Sequence, residues 1–150
     1  MDLQLRGRRA FVSGSTHGIG YAIARALLGE GAEVVVNGRT DSGVRGAVER
    51  LTSEVPGAVV DGIAADFADP DQVRGLLQAL GEVDVVVNNV GLFERAPFAD
   101  IADEDWQRYF DVNVLSGVRV SRQRGNPRHR RRSASWRARH ESHRATQFTV

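Results

Sequence analysis

Seven residues, Gly14-Ser15-Thr16-His17-Gly18-Ile19-Gly20, lie between a short apolar run and a helical pattern. Glycines spaced Gly-x-x-x-Gly-x-Gly let a turn tighten and let backbone N–H groups approach a pyrophosphate. A helix opening near Gly18 adds unpaired N–H groups and a positive dipole end for the same anion. Such a turn is also plain strand-to-helix punctuation, so the spacing alone leaves both readings open. A P-loop would need Gly-Lys-Ser/Thr, and all 20 basic residues here are arginine.

Further candidates follow apolar runs: Arg39, Asp66-Phe67, Asn88-Asn89-Val90-Gly91 and, later, Asn113 within Asp111-Val112-Asn113-Val114. In dinucleotide folds an acid after the second strand accepts from the ribose 2′-OH, whereas arginine there pairs with the 2′-phosphate of NADP. Val36-Asn37-Gly38-Arg39-Thr40 carries no carboxylate, and Arg39 offers a charge-assisted fork. This predicts NADP as cofactor, with NAD possible. Taken singly, Asp66 could cap a turn, Asn88 and Asn89 suit strand ends, and Asn113 and Arg39 could be solvated. There is no cysteine, which removes disulfides, thiolate chemistry and Cys-based zinc sites; no metal site is expected.

Alternating elements must position these residues. Arg9–Ser13, Glu33–Asn37, Ala58–Ala65 and Asp84–Asn88 read as strands. Gly18–Glu30, Ser42–Glu54 and the stretch from Asp69 to Leu80 read as helices. The second helix is expected to be capped by Asp41 or Ser42, and the third by Asp69 with Pro70 at its first position. A long helix is expected from Asp103 to Arg119, with Trp106, Phe110, Val114 and Val118 at helical spacing. Val-rich strands alternating with helices imply a parallel sheet covered on both faces. The expected fold is α/β: a doubly wound, Rossmann-like parallel sheet of strand order 3-2-1-4, incomplete beyond the fourth strand.

The glycine pattern, Asp66, Asn88-Asn89-Val90-Gly91 and Asn113, in that order, resemble the short-chain dehydrogenase/reductase family over roughly residues 5–121. The resemblance implies that Gly14, Gly18 and Gly20 wrap the pyrophosphate of a nicotinamide dinucleotide, with Ser15, Thr16, His17 and Ile19 in the same cofactor loop. It implies that Asp66, beside Phe67, bonds the adenine amino group. Asn88 and Gly91, with Asn89, would line the adenine ribose and stabilise the central strand. Asn113 would hold a water of the proton relay, the one catalytic position recognised. Val90 stands where the family usually has Ala and narrows the space near the cofactor. Phe98 to Asn113, including Asp105-Trp106, resembles the family's long interface helix, which implies a possible homo-oligomer through the 103–119 helix.

The family's hydride transfer between NADP(H) and a carbonyl or alcohol uses Ser and Tyr-x-x-x-Lys. A phenol titrates near 10, so a nearby cation must lower it. This chain has only Tyr21 and Tyr109, each followed four residues later by Arg25 or Asn113, and it has no lysine. Ser133 and Ser135 sit in an arginine-rich tract without a strand pattern. The chain therefore reads as a cofactor-binding fragment, inactive alone, of an oxidoreductase acting on an unidentified small molecule. Leu92, Phe93 and Glu94 are placed to border the pocket without specifying a ligand.

Charge divides the chain. Residues 1–120 hold 11 Arg against 18 acids, a net of −7; residues 121–150 hold nine Arg against Glu141, a net of +8. Residues 1–121 are thus read as a truncated cofactor domain and 122–150 as a basic, disordered tail, arising from lost reading frame or truncation. Strand four would become an exposed sheet edge. A nucleic-acid or anionic-surface binder using the tail is the weaker alternative, since aromatic stacking residues are scarce there. A regulatory protein on a dead cofactor domain is a third reading. No apolar run reaches the roughly 18–20 residues of a membrane helix, and no signal core is visible. A cytoplasmic location without a membrane partner is expected.

Overall fold

Valine-rich runs make the sheet because β-branched side chains suit a surface buried on both faces. In the computed structural model, which describes residues 3–124 and 147–149, β1 (Arg9–Val12), β2 (Glu33–Gly38), β3 (Val60–Ala64) and β4 (Val85–Asn88) are parallel and ordered β3-β2-β1-β4. Ala10 pairs with both Val34 and Val85, so β1 lies at the centre of these four. The expected strand order is the observed one.

Strand periodicity of two divides the core between the faces. Ala10, Val12, Val34 and Val36 point to one face, where Ala24 and Leu28 of α1 (Gly18–Gly29) and Leu51 of α2 (Asp41–Glu54) cover them. Phe11, Val35 and Val86 point to the other, under Val73, Leu76 and Leu80 of α3 (Pro70–Leu80). Thr40, rather than Asp41 or Ser42, caps α2: its Oγ1 accepts from Gly43 N at 3.2 Å. Asp69 caps α3 as expected, accepting from Asp71 N and Gln72 N, with Pro70 opening the helix.

The long helix is interrupted. It comprises α4 (Asp103–Phe110), a π turn at Asp111–Leu115 and α5 (Ser116–Arg124). A π turn holds one extra residue, which rotates later side chains by roughly 100° about the axis. The buried stripe is consequently Val112, Ser116 and Val120. Trp106, Phe110 and Val114 lie elsewhere on the helix and stay half-exposed.

Strand β4 is not the sheet edge expected of it. A fifth strand, β5 (Gln147–Thr149), pairs parallel to β4 with Val86 opposite Gln147 and Asn88 opposite Thr149. Three residues are too few to show periodicity, so no pattern announced this strand; the pairing satisfies part of an otherwise open ladder. Residues 122–124 of the supposed disordered tail continue α5, and residues 125–146, including Ser133 and Ser135, lie outside the described residues.

Candidate functional site

Strand order changes direction at β1: the chain winds outward through β2 and β3, then crosses back to β4 on the other side of β1. Ligands of open α/β sheets bind outside the carboxyl ends of the strands at such a switch point. A cavity of about 420 Å³ lies there, within the size range of small-molecule sites.

The glycine turn forms its floor. Gly14 and Gly18 both have φ +60°, which side-chain-bearing residues rarely adopt. Gly20 is required by close approach: a Cβ there would collide with Asn89 Nδ2 and come within 2.5 Å of Gly14 O. That crowding arises because Asn89 Nδ2 donates to Ser13 O and Gly14 O, each at 3.0 Å. Asn89 thereby ties the end of β4 to the turn. Asn37 ties it to β2 and β3: its Oδ1 accepts from Gly14 N at 3.2 Å, and its Nδ2 donates to Ile63 O at 3.0 Å. Helix α1 begins at Gly18 without a side-chain cap, His17 making no such bond. Its first N–H groups therefore remain available to an anion.

Most expected residues meet at this cavity: Gly14, Thr16, His17, Gly18, Ile19, Gly20, Arg39, Asp66, Phe67, Asn89 and Gly91 line it. Asp66 also forms a turn, accepting from Ala68 N at 2.9 Å. Three expected residues do not line it. Ser15 is fully buried, its Oγ donating to Val12 O at 2.7 Å and accepting from Asn37 N at 2.9 Å. Asn88 packs against Gly117 and donates to Ser121 Oγ at 3.4 Å. Asn113 lies in the π turn, accepting from Leu92 N at 2.7 Å and donating to Leu92 O at 3.0 Å. It fixes the loop after β4 rather than facing the cavity directly.

Sequence reasoning missed Asn37, Gly38, Arg108 and Val112, which line the same space with Val90 and Leu92. Arg108 and Val112 are four apart, the spacing of one helix face, and that pairing was the available signal. Arg108 Nη2 bonds Glu94 Oε2 at 2.8 Å. Glu94 therefore holds a cavity-lining arginine, while Phe93 points largely to solvent.

Neither tyrosine is activated. Desolvation raises Tyr21 above its ordinary value, and its bond to Glu54 adds to that. Desolvation and then the Glu94 charge raise Tyr109 likewise. A phenol shifted upward is a poorer acid/base near neutral pH. Among the described residues, no cluster of three or more His, Asp or Glu could hold a metal ion. No helix among them is long and apolar enough to cross a membrane.

The family model for short chain dehydrogenase matches residues 8–128. The chain is 45% identical over 122 residues to the uncharacterized oxidoreductase YvaG of Bacillus subtilis, covering 81% of this chain and 46% of that protein. It is 37% identical to bovine (Bos taurus) L-xylulose reductase over 121 residues, covering 81% of this chain and 47% of the relative. The chain thus spans about half the length of these relatives. The structure of L-sorbose reductase from Gluconobacter frateurii complexed with NADPH and L-sorbose superposes with a TM-score of 0.80 at 33% identity, over 89% of this chain and 51% of that one.

Proposed function

Because the chain belongs to the short-chain dehydrogenase family, we propose that it is an NADP(H)-binding domain whose parent reaction is hydride transfer between that cofactor and a carbonyl or alcohol. The observation that carries the reading is the single cavity joining the uncapped α1 start, the glycine turn, Arg39, Asp66 and the Asn89–Leu92 segment. A dinucleotide fits these residues. The turn needs glycine at position 20 for its own packing, and its N–H groups suit a pyrophosphate. In this reading Asp66, which lines the cavity, accepts from an adenine amino group. Arg39, exposed after β2, suits a 2′-phosphate better than a 2′-hydroxyl. When bound, the nicotinamide supplies or accepts the hydride; the residues here bind and orient it.

This chain is inactive alone on the same reading. It has no lysine, and both of its tyrosines are shifted away from neutrality. The ketose reductases among its relatives make a small hydroxylated ketone the first substrate class to assay in any active parent. Asn113 positions the 89–92 segment in this reading, and the Trp106 face of α4 is the surface for self-association.

The test is a nucleotide titration of wild type and Arg39→Ala. Wild type should bind NADPH more tightly than NADH, and the variant should lose roughly tenfold in NADPH affinity with little change for NADH, as expected for one charge-assisted pair. An unchanged NADPH-to-NADH ratio would remove the NADP assignment. Absence of any nucleotide binding would remove the whole proposal.

A further inference from the structure

The proposed cofactor preference has a second determinant, on the glycine turn rather than on β2. Gly38 ends β2, where dinucleotide folds place the carboxylate that binds a ribose 2′-OH. Gly38 is not among the glycines with positive φ, so its backbone does not demand glycine. Close approach does. A Cβ on Gly38 would collide with Thr16 Cγ2, while Thr16 Oγ1 and Cβ would stand at 3.3 and 3.4 Å.

Thr16 is held in that position. Its carbonyl accepts from Arg50 Nη2 at 2.7 Å, and the Arg50 guanidinium lies 4.8 Å from the centre of the Tyr21 ring. Tyr21 in turn donates to Glu54 at 3.0 Å, and Glu54 pairs with Arg25 at 2.9 Å. This brace joins α1 and α2 across the turn. A β-branched side chain has few χ1 alternatives, so moving the Thr16 methyl aside carries a rotamer cost.

We infer that Thr16 is a specificity-determining residue: its methyl occupies the space that a carboxylate at position 38 would need, so the turn itself excludes the 2′-hydroxyl-binding arrangement. The inference rests on the proposed NADP(H) site. Arg39 then attracts the phosphorylated ribose, and the Thr16–Gly38 contact prevents the usual alternative from being installed by one substitution.

The experiment is a double-mutant cycle of Gly38→Asp and Thr16→Ser, reading NADPH and NADH affinity and melting temperature. Thr16→Ser removes only the methyl. Gly38→Asp alone should lower the melting temperature and weaken NADPH binding without improving NADH binding. The double variant should recover the melting temperature and bind NADH roughly tenfold better than Gly38→Asp does, a non-additive result expected for residues in contact. Should Gly38→Asp not fold, Gly38→Ala adds the Cβ alone; it should still lower the melting temperature, and Thr16→Ser should restore it. The inference is overturned if Gly38→Asp gains NADH affinity as fully as the double variant, or if position 38 accepts a Cβ without thermal cost. A wild type that prefers NADPH in either case preserves the functional reading while this inference falls. A wild type that binds neither nucleotide overturns both.

Discussion

Replacing Gly20 by Ala separates a nucleotide cradle from an ordinary tight turn. The new methyl meets Asn89 Nδ2, Gly14 O at 2.5 Å and Ser15 Cα at 3.0 Å. Two of these are backbone atoms and cannot rotate away. Relief comes from moving α1 off the turn or from releasing Asn89. Forcing one methyl into a packed site costs about 1–3 kcal/mol. Releasing Asn89 forfeits two hydrogen bonds, about 1 kcal/mol each. The two routes are alternatives in part, so the expected loss is about 2–4 kcal/mol. For a domain of this size that lowers the melting temperature by about 10 °C. The same movement displaces the N–H groups proposed to meet the pyrophosphate, so NADPH affinity should fall by roughly tenfold or more. Gly75→Ala is the control: nothing lies within 4 Å of its added Cβ, inside α3. Helix propensity there should stabilise the protein, by up to about 1 kcal/mol. Thermal melts and NADPH titrations of both variants decide the matter. A Gly20→Ala protein that melts like wild type and binds NADPH equally would refute the argument that the turn is built around this contact.

Three further outcomes are expected. Asn37→Ala should destabilise by about 2–4 kcal/mol, because it leaves buried groups at Gly14 and at the end of β3 without their partner; a chemical-denaturation midpoint near wild type would contradict this. Asp69 is held below the ordinary carboxylate range, first by Gln72's side chain and then by backbone N–H groups. Its stabilising contribution is therefore present above the unfolded value of about 4 and is lost as pH falls through the lower folded value; Asp69→Asn should remove that part of the acid sensitivity in melts across this window. Finally, Phe98 and Trp106 form an edge-on pair at 6.2 Å on a largely exposed face. Trp106→Glu should reduce self-association in sizing or sedimentation, whereas an unchanged species would show that this face is not the contact.

The sheet was legible because valine runs, glycine stops and the Asp69-Pro70 start all express local physics. Continuous valine runs alternating with helices implied a sheet covered on both faces, and right-handed crossovers ordered the strands. Other features depended on packing. The π turn at Asp111–Leu115 changes the helix phase, which no 3.6-residue pattern reveals, so the buried stripe of Val112, Ser116 and Val120 was not legible. The fifth strand is too short to carry a signal. At the site, residue type identified Gly14, Arg39 and Asp66, but burial decided that Ser15 is internal and that Asn113 holds Leu92. Gly38 looked like the mere absence of a carboxylate; only the position of Thr16 shows that the space is filled.

The most direct test of the central claim is backbone hydrogen exchange of the whole chain with and without NADPH. The account predicts added protection in residues 14–20, 38–40, 66–68 and 89–92, with smaller changes for NADH. Protection elsewhere, or none at saturating NADPH, would contradict a dinucleotide site at this switch point.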